Sequence, residues 1–167
     1  MDRPRRKGIS LQIHLTWLAD DAERRAQLAA RAGAGLVSTE MPLRANLSLL
    51  DNVALIPQYR HNLDYDTAAA QAWKLLLLSG HESAAMKRDP QLTHTERFVA
   101  KLLRAAIERP PIILIDRPAL LLPDTHYPPF LKDMLARLSD HLHDCWILDY
   151  RWNAPLYLPH PPSPAPH

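Results

Sequence analysis

Glycine is scarce in this chain: four in 167 residues, against 16 prolines. Average usage at this length gives about 12 glycines and about 8 prolines. So few glycines weigh against a site built on a glycine-rich phosphate loop, whose backbone must approach its ligand closely. Cysteine is nearly absent. One residue, Cys145, excludes an internal disulfide framework and fits a reducing compartment. Long apolar runs are missing: stretches such as 75–78 and 112–115 have four residues each, where a membrane span needs roughly 18. The basic start, Met1-Asp-Arg-Pro-Arg-Arg-Lys-Gly8, leads into a segment broken by Ser10, Gln12, His14 and Thr16, which argues against a signal peptide. Charge of one sign is also lacking. With 20 Lys+Arg against 18 Asp+Glu, the formal net charge of +2 is too small to imply nucleic acid by itself, and contact through the basic start ranks last among the readings. What is present is ordinary globular usage, 47% hydrophobic and 23% charged, which excludes a wholly disordered chain.

Residues 1–8 read as a flexible basic arm, 9–157 as one folded domain, and 158–167 as an extended Pro-rich tail. Ile9, Leu11, Ile13, Leu15 and Trp17 share one parity, so 9–18 is expected to be a half-buried strand with Gln12, His14 and Thr16 on its wetter face. A helix follows, acidic at its start and ended by Gly33. Residues 35–39 are a candidate strand. A helical block is expected over about 46–108. Its parts are a short helix capped by Ser48 and ended by Pro57, a longer one over 64–79 stopped by Gly80, and a third over 96–108 capped by Thr93 or Thr95. The continuous apolar run Ile112-Ile-Leu-Ile115 marks a strand buried on both faces of a parallel sheet. An amphipathic helix over 130–143 and a strand over 145–150 complete an α/β pattern.

Three segments in this order resemble the ATPase domain of ABC transporters. Asn46-Leu-Ser-Leu-Leu-Asp-Asn-Val-Ala-Leu55 is similar to the L-S-V-x-D/E-N-V segment that follows the glutamine loop in that family. Leu92-Thr-His-Thr-Glu-Arg97 aligns on the signature L-S-G-G-[QE]-R. Arg109-Pro-Pro-Ile-Ile-Leu-Ile-Asp-Arg-Pro118 aligns on x-P-x, four apolar residues and D-E-P, the Walker B strand. The resemblance covers roughly residues 10–150 and implies a partial ABC-ATPase-like P-loop fold with a mostly parallel sheet and an inserted helical subdomain.

The departures carry as much information. No G-x-x-x-x-G-K-[ST] segment occurs, and that is the loop whose N–H groups, lysine and hydroxyl hold phosphates and Mg²⁺. The chain is expected to begin after the place of that loop. The family's glutamine falls at Thr39 and Glu40. The two signature glycines become His94 and Thr95, whose side chains obstruct an approach to phosphate. Asp116 keeps the Walker B aspartate, but Arg117 stands where the family has its catalytic glutamate, and a guanidinium does not act as a general base. The D-loop aspartate falls near Pro123 and the switch histidine on Tyr150.

These substitutions imply a degenerate cassette that does not hydrolyse ATP, with no cofactor and no catalytic residue. The altered motif positions are Leu92, Thr93, His94, Thr95, Glu96, Asp116, Arg117 and Tyr150. Asp116 is expected to serve structurally, in a salt bridge with Arg117 or Arg104, in preference to holding Mg²⁺. Arg117 reads as a drifted position before it reads as an arginine finger. His141, His143 and Cys145 alternate in sequence, but no fourth ligand accompanies them, and a buried thiol is the default for Cys145. Trp17, Trp73, Trp146 and Trp152 are expected in the core or at interfaces. The resemblance implies a cytoplasmic protein working through protein partners. These would be an ABC ATPase, a membrane permease, or another copy of itself, with peripheral membrane association through the partner. An ATPase whose phosphate loop comes from a partner chain, or a scaffold outside transport, are the alternatives. A sheet missing strands would also expose an edge that invites pairing.

Overall fold

The structure, a computed structural model, describes residues 10–123, 125 and 127–158. The basic arm and most of the Pro-rich tail lie outside the described residues. In chain order the elements are β1 (Gln12–Leu18), α1 (Asp21–Ala30), β2 (Gly35–Val37), α2 (Leu49–His61), α3 (Tyr65–Ser79) and α4 (His94–Ala106). Then come β3 (Ile112–Asp116), α5 (Pro118–Leu121), α6 (Tyr127–Arg137), β4 (Asp144–Tyr150) and a 3-10 segment over Arg151–Tyr157. The four strands form one parallel sheet in the order β1-β4-β3-β2.

Alternation along the central strands sends side chains to two apolar layers. Ile113, Ile115, Cys145 and Ile147 face the large core built by α2, α3, α4 and α6. Leu114 and Leu148 face the other way, with Leu18, and pack near Leu28 and Leu36. On that second face the Arg31 guanidinium lies 3.7 Å above the Trp146 ring, and His14 stacks on the same ring at 4.3 Å. β3 is buried along nearly its whole length, as a continuous apolar run requires. α3 buries Ala68, Ala72, Leu75, Leu76 and Ser79, one stripe at helical spacing, and ends on Gly80 at φ 73°. Gly35 lets β2 pass α4 closely: a Cβ there would stand 3.0 Å from Pro110 Cγ and 3.2 Å from the Ala105 carbonyl.

Several expectations are corrected. β1 is an edge strand, and its apolar parity is not buried: Ile13 is 49% and Leu15 40% exposed. Ile13 borders an open cleft of about 510 Å³ whose other wall includes Lys132 and Ala136 of α6, so this face of the edge strand is only partly covered. Pro57 does not end α2; the helix runs through it to His61 and ends at Asn62, φ 51°. Pro57 is buried, so packing offsets the hydrogen bond its missing N–H cannot give. α1 ends at Ala30, before Gly33. The helix expected over 130–143 stops at Arg137, and a 3-10 turn over Ser139–His141 leads into β4. Trp73 and Trp152 are exposed, which removes the core half of their expected placement, in the core or at an interface.

Candidate functional site

The parallel strands bring their C-terminal ends to one side of the sheet, which is where open α/β sheets place their ligands. Asp116 closes β3 there and is 1% exposed. Its carboxylate meets Arg24, which is 3% exposed and projects from the beginning of α1. Arg24 Nε donates to Asp116 Oδ1 at 2.9 Å, and Arg24 Nη2 donates to Oδ2 at 2.8 Å. This is the planar two-point pairing that a guanidinium makes with a carboxylate. The same Nη2 donates to Glu40 Oε1 at 2.8 Å, and Nη1 to Asp21 Oδ1 at 3.2 Å. Ser38 Oγ, just past β2, donates to Asp116 Oδ2 at 2.7 Å. Arg117 folds back on its neighbour, with Nε 3.1 Å from Asp116 Oδ1 and Nη2 3.6 Å from Glu40 Oε1. Its backbone is left-handed, φ 52°, and its N–H donates to the Leu148 carbonyl. From below, buried Lys101 on α4 donates to the Ser38 carbonyl at 3.0 Å.

The electrostatics follow from that packing. Burial alone would push the Asp116 carboxyl up, but the hydrogen bonds from Arg24 and Ser38 and the two guanidinium charges outweigh it and hold it below the usual range. Arg24 is shifted further up, mainly by its hydrogen bond to Asp116, so the pair stays ionised. Burial, then the charges of Arg104 and Arg97, lower the Lys101 ammonium.

The signature-like positions form a helix start. Leu92 is buried, and Thr93 caps α4: its Oγ1 accepts from the Glu96 N–H at 3.1 Å, while Glu96 Oε1 accepts from the Thr93 N–H at 3.0 Å. This reciprocal pair is a capping box. Glu96 also holds Lys87 at 3.0 Å, and Arg97 Nε donates to Asp89 Oδ1 at 2.8 Å. His94 is the exposed first residue of α4, and Thr95 lies 3.3 Å from Thr125. Tyr150 ends β4 and stacks on Trp152 at 4.1 Å. The expected partner Arg104 does not reach Asp116; it donates to the Met41 and Pro42 carbonyls instead. Cys145 is buried in β4, and burial pushes its thiol up to about 12. Among the described residues no group of three or more His, Cys, Asp or Glu is placed to hold a metal ion.

The architecture is similar to two solved structures of the ATP-binding cassette MJ0796. One is a dimer in a post-hydrolysis state bound to ADP and phosphate. It matches with a TM-score of 0.58 and 20% identity, over 89% of this chain and 77% of that one. The other is a dimer of the same bacterial ABC transporter cassette, with a TM-score of 0.56 and 20% identity over the same shares. This chain has an ATP-binding cassette fold. Neither a protein-family model nor a curated protein sequence matches it.

Within that cassette fold the sequence concealed Arg24, the residue that completes the site. One signal was available: Arg24 stands in the first turns of a helix, where the macrodipole disfavours a cation, so a specific anionic partner was needed to hold it there. Glu40 was placed only as the position of the family's glutamine, and Ser38 was not singled out. The motif residue Asn52 has a structural task. Its amide donates to the carbonyls of Arg44, Leu47 and Ser48, and its Oδ1 accepts from the Arg44 N–H at 2.8 Å. It thereby fixes the segment between β2 and α2. Beside this segment two clefts of about 290 and 280 Å³ share Ile56 and Arg104. Met41 borders one, and Tyr59, 78% exposed, borders the other.

Proposed function

We propose that this chain is a non-catalytic relative of the ABC ATPase, a structural or regulatory subunit that works in a membrane transport complex through protein contacts. The observation that carries this reading is the seating of Arg24 on Asp116 and Glu40. The two motif positions that face the nucleotide side in the resembling family are closed on a cation from the chain itself. The connection from β1 to α1 supports it. A phosphate loop joins a strand to a helix through G-x-x-x-x-G-K-[ST], whereas here Ala19 and Asp20 alone link them, with Asp20 capping α1. We read β1 and α1 as such a unit with its loop shortened, which replaces the expectation that the chain begins after it. Arg117 adds a second guanidinium where a general base would be needed. Phosphoryl transfer depends on phosphate positioning, Mg²⁺ and a water-orienting group together, and Asp116 is the one carboxylate of that set retained.

The surface that remains for function is the groove beside Met41, Arg44, Ile56, Tyr59 and Arg104. It lies between the segment after β2 and the helical block, the region with which the resembling family grips its membrane subunits. It suits a partner helix presenting apolar and acidic side chains. No helix among the described residues is long and apolar enough to cross a membrane, so membrane association in this reading goes through the partner.

The test has two arms. Millimolar Mg-ATP should leave the melting temperature of the full chain unchanged. A ligand at 100 times its dissociation constant would add about 2.7 kcal/mol, so a clear upward shift, or steady phosphate release, overturns the non-catalytic reading. Purification of the tagged chain from its native cells should retain an ABC ATPase and a membrane permease. Recovery of an unrelated assembly removes the transport role.

A further inference from the structure

We infer that the cleft between α3, the end of α4 and the turn before β4 is an anion site, and that its ligand is a phosphate dianion, either inorganic or carried by a small ester. The inference does not rest on the reading of the nucleotide side. Asp116 closes the C-terminal end of β3, whereas Arg109 and His141 stand just before β3 and β4, at the opposite end of the parallel sheet.

Three segments border the cleft. Gln71, Lys74 and Leu75 come from α3, Ile107 and Arg109 from the chain after α4, and His141 from the 3-10 turn. Its volume is about 280 Å³, near the lower bound of about 300 Å³ for small-molecule sites. No carboxylate lines it. Glu108 is engaged by His61, 2.6 Å from its ring nitrogen. Asp140 borders the separate cleft beside Ile13 and acts on His141 more weakly than Arg109 does.

The cations here lack acidic partners. The Lys74 ammonium makes no hydrogen bond or ion pair among the described residues, and α3 has no acid within one turn of it. Arg109 spends donors on neutral acceptors: Nη1 donates to the Asp140 carbonyl and Nη2 to His141 Nε2, both at 3.2 Å. A guanidinium only donates, so Nε2 accepts and the ring hydrogen sits on Nδ1. The imidazole is then neutral, the form that burial and the Arg109 charge favour. That buried Nδ1–H has no acceptor among the described residues. Arg109 also holds a left-handed backbone, φ 49°, past the end of a helix, where glycine is the usual residue. A side chain there is strained, and what it places beside the cleft is a guanidinium.

Charge selects the occupant. Lys74 and Arg109 bring two positive charges to one cleft, and no acid on its walls answers them. A phosphate monoester carries about −1.5 to −2 at pH 7 and three strong acceptor oxygens. It balances both cations and still offers an oxygen to Gln71 or the ring N–H. A carboxylate balances one cation. Leu75 and Ile107 provide an apolar wall for the carbon part of an ester.

Calorimetric titration of the full chain near neutral pH and at fixed ionic strength tests this. The probes are inorganic phosphate, glycerol 3-phosphate and, as a control, acetate. Both phosphates should bind saturably at one site per chain, and acetate should not. Tighter binding of glycerol 3-phosphate assigns the site to an ester; equal affinity assigns it to the inorganic ion. Backbone amide shifts on binding should centre on 71–75, 107–109 and 140–142. Lys74→Gln, at an exposed position, should keep the circular dichroism spectrum and weaken binding about tenfold or more, the loss of one hydrogen bond to a charged group. Arg109→Gly, which suits the left-handed backbone, should weaken it at least as much. Mg-ATP captured by this cleft would be lost in Lys74→Gln, whereas Mg-ATP held at Asp116 would not, so the two readings fail separately. Phosphates that do not bind at millimolar concentration overturn the inference. So do acetate binding equally well, shifts centred elsewhere, and a Lys74→Gln chain that binds as the wild type does.

Discussion

Replacing Arg24 with Met removes a guanidinium that is 3% exposed and leaves Asp116, 1% exposed, without its main partner. Breaking one side of a buried ion pair costs about 3–5 kcal/mol. The lower half of that range applies, because Ser38 Oγ and Arg117 still reach the carboxylate. At roughly 2–4 °C per kcal/mol for a domain of this size, the melting temperature should fall by about 6–15 °C at pH 7. The pH dependence is the sharper signature. In the wild type the Asp116 carboxyl is held below its unfolded value. Its stabilising contribution is therefore present above about pH 4 and is lost as pH falls through the folded value. In Arg24→Met the folded value rises relative to wild type, because the largest lowering influence, the Arg24 hydrogen bond, is gone while burial remains. The gap to wild type should therefore be widest near pH 7 and should narrow towards pH 4. Adding Asp116→Leu to Arg24→Met removes the stranded charge and should recover much of the loss. Urea titrations at pH 7 and 4.5 measure all three proteins. A loss under about 1 kcal/mol at pH 7, or a gap that does not change with pH, would refute the claim that Arg24 neutralises a buried carboxylate.

Asn52→Ala should cost about 2–3 kcal/mol in urea titrations, since it strips partners from the Arg44 N–H and from loop carbonyls beside a 3% exposed side chain. It should also loosen the groove wall, seen as faster amide exchange over 44–48. His141 titrates below its ordinary value because burial, then the Arg109 charge, disfavours its cation, and its buried Nδ1 has no hydrogen-bond partner among the described residues. A folded value below the unfolded one means stability falls on acidification through about pH 6.5 and levels off below the folded value. His141→Leu should flatten that part of the stability profile between pH 7.5 and 5, and an unchanged slope would count against it.

Much of the sheet was legible because its signals are local. The run Ile112–Ile115 needs no partner to declare a buried strand, and the β2 and β4 segments were found by the same logic. The helix start was legible as residue types: Thr93 or Thr95 was expected to cap it, and the structure places the cap at Thr93, with Glu96 completing the box. Two failures have a common cause. The parity of β1 was read correctly but assigned to the core, because alternation reports two unlike faces and not which face a neighbouring element covers. Pro57 was read as a stop because its intrinsic effect is large, yet the buried contacts of α2 override it. The site was half visible. Asp116 and Glu40 stand out against a motif, but Arg24 is 92 residues from Asp116. No local pattern ties them; only the fold does.

The balance of charge in that site bears on what it can bind. Arg24, Arg117 and Lys101 are cationic, and Asp116, Glu40 and Asp21 are anionic; the exposed Arg25, paired with Asp21, adds a fourth cation at the rim of the linked cluster. A polyphosphate is drawn to net positive potential and to unpaired donors. Here the Arg24 donors are directed at carboxylates. Burial is uneven across the cluster: the Asp116 side chain is 0% exposed and that of Glu40 57%. The two acids should therefore differ in energetic weight although one guanidinium touches both. Glu40→Gln removes an exposed charge, gives the position the amide of the resembling family, and should cost no more than about 1 kcal/mol. Asp116→Asn removes the buried charge, turns one acceptor into a donor aimed at two guanidinium groups, and should cost several times as much. If Glu40→Gln proves the more damaging in paired urea titrations, the cluster is organised around its solvent-facing acid, and the buried pair is not what closes the site. If Glu40→Gln also made Mg-ATP stabilise the chain, the carboxylates that hold the Arg24 donors would be the obstacle to nucleotide.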